Sequence, residues 1–249
     1  NKTMPRKKKS LADTSAKVMR RKKPINNDQL LDISPLTPTQ DKVFEEWTKD
    51  KNLCLYGAAG TGKTFVALYL ALKSVLDENT PYEKIYIVRS LVATREIGFL
   101  PGDHDDKAAL YQIPYKNMVQ YMFEMPSDSD FDILYDKLKE QETISFWSTS
   151  FIRGTTLDNS IVIIDEMQNL NFHELDSIIT RCGQDTKIIF SGDAVQSDLQ
   201  KTNERNGILN FMSIIQNMEE FSCIEFNIQD IVRSGLVRSY LVAKIEAGF

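Results

Sequence analysis

Gly57-Ala58-Ala59-Gly60-Thr61-Gly62-Lys63-Thr64 is the stretch on which the fold of this 249-residue chain turns. It matches the pattern GxxxxGK(S/T) and has the flanks that pattern needs. An apolar, strand-like run, Leu53–Tyr56, precedes it, and a helical pattern with Val66, Leu68, Leu70 and Leu72 follows. The glycines permit backbone angles that aim consecutive N–H groups inward, and the start of the helix adds partial positive charge. Gly57, Ala58, Ala59, Gly60, Thr61 and Gly62 together would cradle a phosphate. Lys63 would reach the β- and γ-phosphates of a nucleotide, and Thr64 would ligate Mg²⁺ through its hydroxyl.

A second run, Ile161-Val162-Ile163-Ile164-Asp165-Glu166, delivers two carboxylates at the end of a strand with no polar alternation. Open parallel sheets bind ligands at that end. Asp165 would hold the magnesium shell, while Glu166 would orient or deprotonate an attacking water. Ser191-Gly192-Asp193 follows another apolar strand, with Gln196 three residues on. Asp193 and Gln196 are candidates for sensing a γ-phosphate. Gln40 lies thirteen residues before Leu53, and its amide could read an adenine edge with one donor and one acceptor. Phosphoryl transfer also wants a cation. Arg89, Arg153, Arg181 and Arg233 all stand at expected strand or helix ends, and composition does not choose among them.

Working outward, the chain alternates strand and helix patterns. Leu53–Tyr56, Ile85–Val88, Ile144–Trp147, Ile161–Ile164, Lys187–Phe190 and Cys223–Phe226 read as strands. Lys63–Leu76, His173–Arg181, Glu204–Asn217 and Gly235–Ala247 read as helices. This order predicts βαβ units around a mostly parallel sheet in a three-layer α/β domain. Residues 91–143 are too long for a simple crossover and read as an insertion on the rim, whose tyrosines and methionines are assigned to core packing.

Residues 1–24 hold ten basic residues against Asp13 alone, a balance of +9, which leaves −14 on the remainder. The expectation is a disordered basic tail over residues 1–30, a linker near 24–35, and one domain over 31–249. Such a tail suits a polyanion such as nucleic acid, or serves only solubility. The longest apolar run, Phe65–Leu72, is too short to span a bilayer, and no apolar stretch backs the basic start. Cys54, Cys182 and Cys223 form no CxxC, and His104 and His173 are the only histidines, so a zinc constellation is excluded. A reducing, cytoplasmic setting without membrane association is expected.

These motifs in this order resemble the PhoH-like ATPases, P-loop proteins related in their core to the first RecA-like domain of superfamily 1 helicases. The resemblance runs from about Leu36 to Glu246. Beyond the motifs above, it rests on Gly98-Phe99-Leu100-Pro101-Gly102-Asp103 with Lys107, on Phe151-Ile152-Arg153-Gly154-Thr155-Thr156-Leu157, on Ile164 to Asn169, on Thr180-Arg181-Cys182-Gly183, and on Asp230-Ile231-Val232-Arg233. Pro114-Tyr115 falls about four residues later than the family pattern, Met167 replaces an alanine, and Ser234 a histidine. The resemblance implies ATP and Mg²⁺, hydrolysis, ring-like self-association as a hexamer, and a link to RNA or phosphate starvation. It makes Gln40 an adenine-reading candidate and puts Arg233 first, Arg181 second, as the cation at the γ-phosphate. Coupling to RNA or single-stranded nucleic acid is the expected use. A nucleotide-gated protein-interaction switch is the main alternative, favoured by the acidic body. A small-molecule kinase would need an arginine-rich lid that the chain does not display.

Overall fold

A strand such as Ile161–Ile164, apolar at every position, has to be covered on both faces. The computed structural model describes residues 25, 27–89, 104–152, 154–193 and 203–249, with backbone alone at 104–109, 151 and 203–206. Six strands form one sheet: β1 (Asn52–Gly57), β2 (Lys84–Arg89), β3 (Ile144–Ser148), β4 (Ser160–Ile164), β5 (Thr186–Gly192) and β6 (Phe221–Phe226). Their order across the sheet is β3-β2-β4-β5-β1-β6, and every pairing is parallel. All six C-terminal ends therefore share one rim, where the phosphate loop, Asp165, Asp193 and Arg89 emerge.

Alternate residues of β4 serve opposite cores, as the two-residue period of a strand requires. Ile161 and Ile163 join a layer built with α1 (Pro38–Thr48), α2 (Lys63–Leu76), α3 (His104–Met122) and α4 (Asp128–Glu140). Val162 and Ile164 face α6 (Phe172–Ile179) and α7 (Asn203–Gln216). The one-turn α5 (Thr149–Ile152) and α8 (Gly235–Glu246) complete the α-helices of the described residues. The expected three-layer α/β domain with a parallel sheet is what forms. No described helix is long and apolar enough to cross a membrane.

Three local features go beyond the expected elements. Helix α1 begins at Thr37, whose hydroxyl accepts the Gln40 N–H at 3.1 Å, with Pro38 in the first turn. The described part of the insertion is the helix pair α3 and α4, and it puts Tyr115, Met122 and Phe123 into the core while leaving Tyr121 exposed. The passage 27–35, read as linker, lies against the body. Leu30 bridges to Phe123, Leu31 N–H donates to the Met122 carbonyl at 2.8 Å, and the Tyr69 hydroxyl bonds both the Ile33 N–H and the Leu31 carbonyl. The basic segment 1–24, the Gly98–Asp103 motif, Arg153 and Gln196 lie outside the described residues.

Candidate functional site

Gly57 ends β1 at φ 119°, and a Cβ there would overlap the carbonyl oxygen of Phe226. The neighbouring Ala58 N–H donates to that same carbonyl at 2.9 Å, so the loop leaves the sheet pinned to β6. Gly62, at φ 83°, occupies the N-cap of α2, where a side chain would press on the Gln40 amide. Left-handed backbone of this kind favours glycine, which is why the motif demands it at these points.

Lys63 opens α2 and is buried, so its ammonium needs acceptors. It donates to the Ala58 carbonyl at 2.5 Å and to Thr61 Oγ1 at 3.3 Å, and pairs with Asp193 Oδ1 at 3.0 Å. The lysine side chain is 3% exposed and Asp193 52%, so a ligand can reach the carboxylate side of the pair. One position on, the Thr64 hydroxyl donates to Asp165 Oδ1 at 3.1 Å, across 101 positions of sequence. The Glu166 N–H donates to the same oxygen at 2.9 Å. Among the described residues no group of three or more His, Cys, Asp and Glu gathers to hold a metal. A magnesium ion does not need one, because it takes one or two protein ligands and completes its shell with phosphate oxygens and water. The Thr64 hydroxyl beside the Asp165 carboxylate is a donor set of that kind.

Glu166 adopts φ 53°, a left-handed geometry that costs a non-glycine residue about 1 kcal/mol or more. Its carboxylate accepts from Gln168 Nε2 at 2.6 Å. Burial, then the negative charges of Asp165 and Asp193, push its pKa above the usual carboxylate value, against the pull of Gln168 and Arg89. Among the described residues the buried Gln168 Oε1 has no hydrogen-bond partner, and it lies against Gly192.

Gln40 is buried and already engaged on both sides of its amide. Nε2 donates to the Thr61 carbonyl at 3.0 Å and Oε1 accepts the Leu36 N–H at 2.9 Å, so the side chain braces the phosphate loop. One amide hydrogen and one lone pair are left over. Gln40 also lines a largely apolar cavity of about 280 Å³ with Leu36, Phe44, Phe65, Tyr69 and Tyr121.

The arginines separate by topology. Val232 N–H donates to the Gly60 carbonyl at 2.9 Å, which sets the aliphatic stem of the exposed Arg233 against Gly60. The turn before it is fixed by a reciprocal cap between Asn227 and Asp230. Arg89 ends β2, its guanidinium 4.9 Å from the centroid of the Tyr111 ring. Arg181 follows α6, and its carbonyl accepts the Leu157 N–H just before β4 begins. It therefore stands at the N-terminal ends of the central strands β4 and β5, the rim opposite the one from which the phosphate loop emerges.

Two side chains at the site were not among the expected site residues. Gln168 is visible in sequence only as part of the Ile164–Asn169 run. Tyr115, expected in the core, is indeed 3% exposed, yet its hydroxyl donates to Asp165 Oδ2 at 2.5 Å. A Pro-Tyr pair fifty residues upstream of the carboxylate gives no local sign of that contact.

Residues 32–244 match the model of the PhoH-like protein family. A PhoH-like protein of Synechocystis sp. is 32% identical over 195 residues, 78% of this chain and 56% of that protein. Protein PhoH2 of Bacillus subtilis is 29% identical over 191 residues, 76% of this chain and 42% of its own length. The chain thus spans about half the length of the curated relatives it matches. Among solved structures, the large terminase of a thermophilic bacteriophage in complex with ADP aligns with a TM-score of 0.52 at 14% identity, over 85% of this chain and 50% of the terminase. That likeness is one of fold alone, the α/β P-loop NTPase-like fold, with the loop between β1 and α2. The chain belongs to the PhoH-like protein family.

Proposed function

We propose that this chain binds ATP with Mg²⁺ at Gly57–Thr64, hydrolyses it, and couples the cycle to RNA or single-stranded nucleic acid as a homo-oligomer, in which six copies would close a ring. The observation that carries the reading is the meeting of Thr64 and Asp165 at 3.1 Å on the same rim as Lys63 and Glu166. The loop amides and Lys63 hold the phosphates, and Thr64 and Asp165 hold the metal. When bound, Mg²⁺ supplies charge neutralisation at the β- and γ-oxygens. Glu166, with its raised pKa, lines up a water and accepts its proton, and Gln168 Nε2 holds the carboxylate in place. A proton affinity moved toward the working pH is the direction a general base needs. Arg233 beside Gly60 supplies the cation, and Asp193, with Gln196, reports the γ-phosphate. The base takes the apolar cavity beside Gln40.

The +9 segment at residues 1–24 supports a polyanionic partner for an otherwise acidic body. Helix α8 supports self-association. It buries none of its own residues fully and presents Leu236 and Tyr240 to solvent, next to the Leu241 side chain that covers Gly60. The test is phosphate release from ATP with and without single-stranded RNA or DNA, at rising salt and with residues 1–24 removed. Stimulation that weakens steeply with salt is expected, as is a specific activity that falls on dilution. No response to any polymer would favour a nucleotide-gated protein switch, the reading to which the −14 balance of the body inclines.

A further inference from the structure

Tyr115 sits in α3, in the insertion, and reaches the carboxylate that the preceding reading gives to the metal. Its hydroxyl donates to Asp165 Oδ2, while Oδ1 accepts from Thr64 and from the Glu166 N–H. Both oxygens of Asp165 are thereby held, and rotation of the carboxylate would break bonds on both. The ring is locked by burial and by Phe146 of β3, at 5.5 Å between centroids. One helical turn earlier Tyr111 lies against the Arg89 guanidinium. Tyr111 and Tyr115, four positions apart, thus form one face of α3 laid on the ends of β2 and β4.

We propose that Tyr115 is a positioning residue for magnesium: it fixes Oδ2 so that Oδ1 faces Thr64 and the metal shell, and it makes the insertion helix part of the metal site. Most buried phenols find a hydrogen-bond partner, though the Tyr135 hydroxyl has none among the described residues. Here the acceptor is the one carboxylate that also bonds Thr64, and groups bonded to metal-site carboxylates typically change metal affinity about 10- to 100-fold when removed. The proposal rests on the Mg-ATP reading above, and its test separates the two.

The variant is Tyr115→Phe, which keeps the ring against Phe146 and removes only the hydroxyl. Binding of mant-AMPPNP, a fluorescent ATP analogue that resists hydrolysis, is measured in EDTA and across a Mg²⁺ titration. The expected result is a half-saturating Mg²⁺ concentration raised about tenfold, with affinity in EDTA within about twofold of wild type. An unchanged or lowered Mg²⁺ midpoint overturns the proposal, and so does an equal loss of affinity in EDTA, which marks a merely structural role. A ligand-free double-mutant cycle with Asp165→Asn gives a second readout in melting temperature. Non-additive shifts are expected, and additive ones refute the coupling. Wild-type binding that ignores Mg²⁺ would overturn the magnesium reading itself, and the cycle then decides alone whether Tyr115 holds Asp165.

Discussion

The ion pair between Lys63 and Asp193 places a carboxylate where a phosphate-binding lysine must receive its ligand. Binding of ADP at the loop therefore has to displace Asp193. The pair is 3.0 Å long, with the lysine 3% exposed and the aspartate 52% exposed. A fully buried charged hydrogen bond would be worth about 1.5–3 kcal/mol, but a half-exposed carboxylate is screened by solvent toward the lower range of about 1 kcal/mol. Removing its charge with Asp193→Asn should then tighten ADP binding by about fivefold, the equivalent of about 1 kcal/mol at 25 °C. The ligand-free protein should lose a similar amount of stability, since among the described residues Lys63 keeps the Ala58 carbonyl and the Thr61 hydroxyl as its acceptors. Fluorescent-ADP titration and thermal melting of both proteins read these two effects together. ADP is the right ligand because it lacks the γ-phosphate that Asp193 is proposed to sense. Weaker or unchanged ADP binding in the variant would refute the competition between carboxylate and phosphate.

Other outcomes follow from the same geometry. Glu166→Gln should cut turnover about 10²-fold or more while nucleotide binding stays within a few-fold, as measured by single-turnover kinetics. Because burial and the neighbouring acids raise the Glu166 pKa, wild-type turnover should fall as pH drops through a value above the ordinary glutamate range. The linkage has a definite sign. The raised pKa favours the fold below the unfolded value and loses that benefit as pH rises through the folded one, so Glu166→Gln should melt higher than wild type at neutral pH and lose the advantage in acid. Gly57→Ala should destabilise the fold by at least about 2 kcal/mol in denaturant titration, since φ 119° is strained for alanine and its Cβ overlaps the Phe226 carbonyl.

What could be read from the chain was whatever is encoded locally. The phosphate loop is contiguous, and β4 announces itself because a strand covered on both faces loses its polar alternation. Helix α1 carries the usual start signals in Thr37 and Pro38, but it directly follows the passage read as linker, and tertiary packing decides the matter. Gln40 stands out by position, whereas its bonds to Thr61 and Leu36 depend on how α1 folds back onto the loop. The positions of Tyr115 and Arg181 have a topological origin. The insertion returns α3 to the strand ends, and α6 carries Arg181 away from them. No spacing rule contains that information.

The most direct measurement is steady-state phosphate release from ATP by the wild-type chain and by Lys63→Ala, each with Mg²⁺ and with EDTA. The account predicts magnesium-dependent turnover that falls about 10²-fold or more in the variant. Equal rates in the two proteins, or no release by wild type in any assembly state, would contradict it.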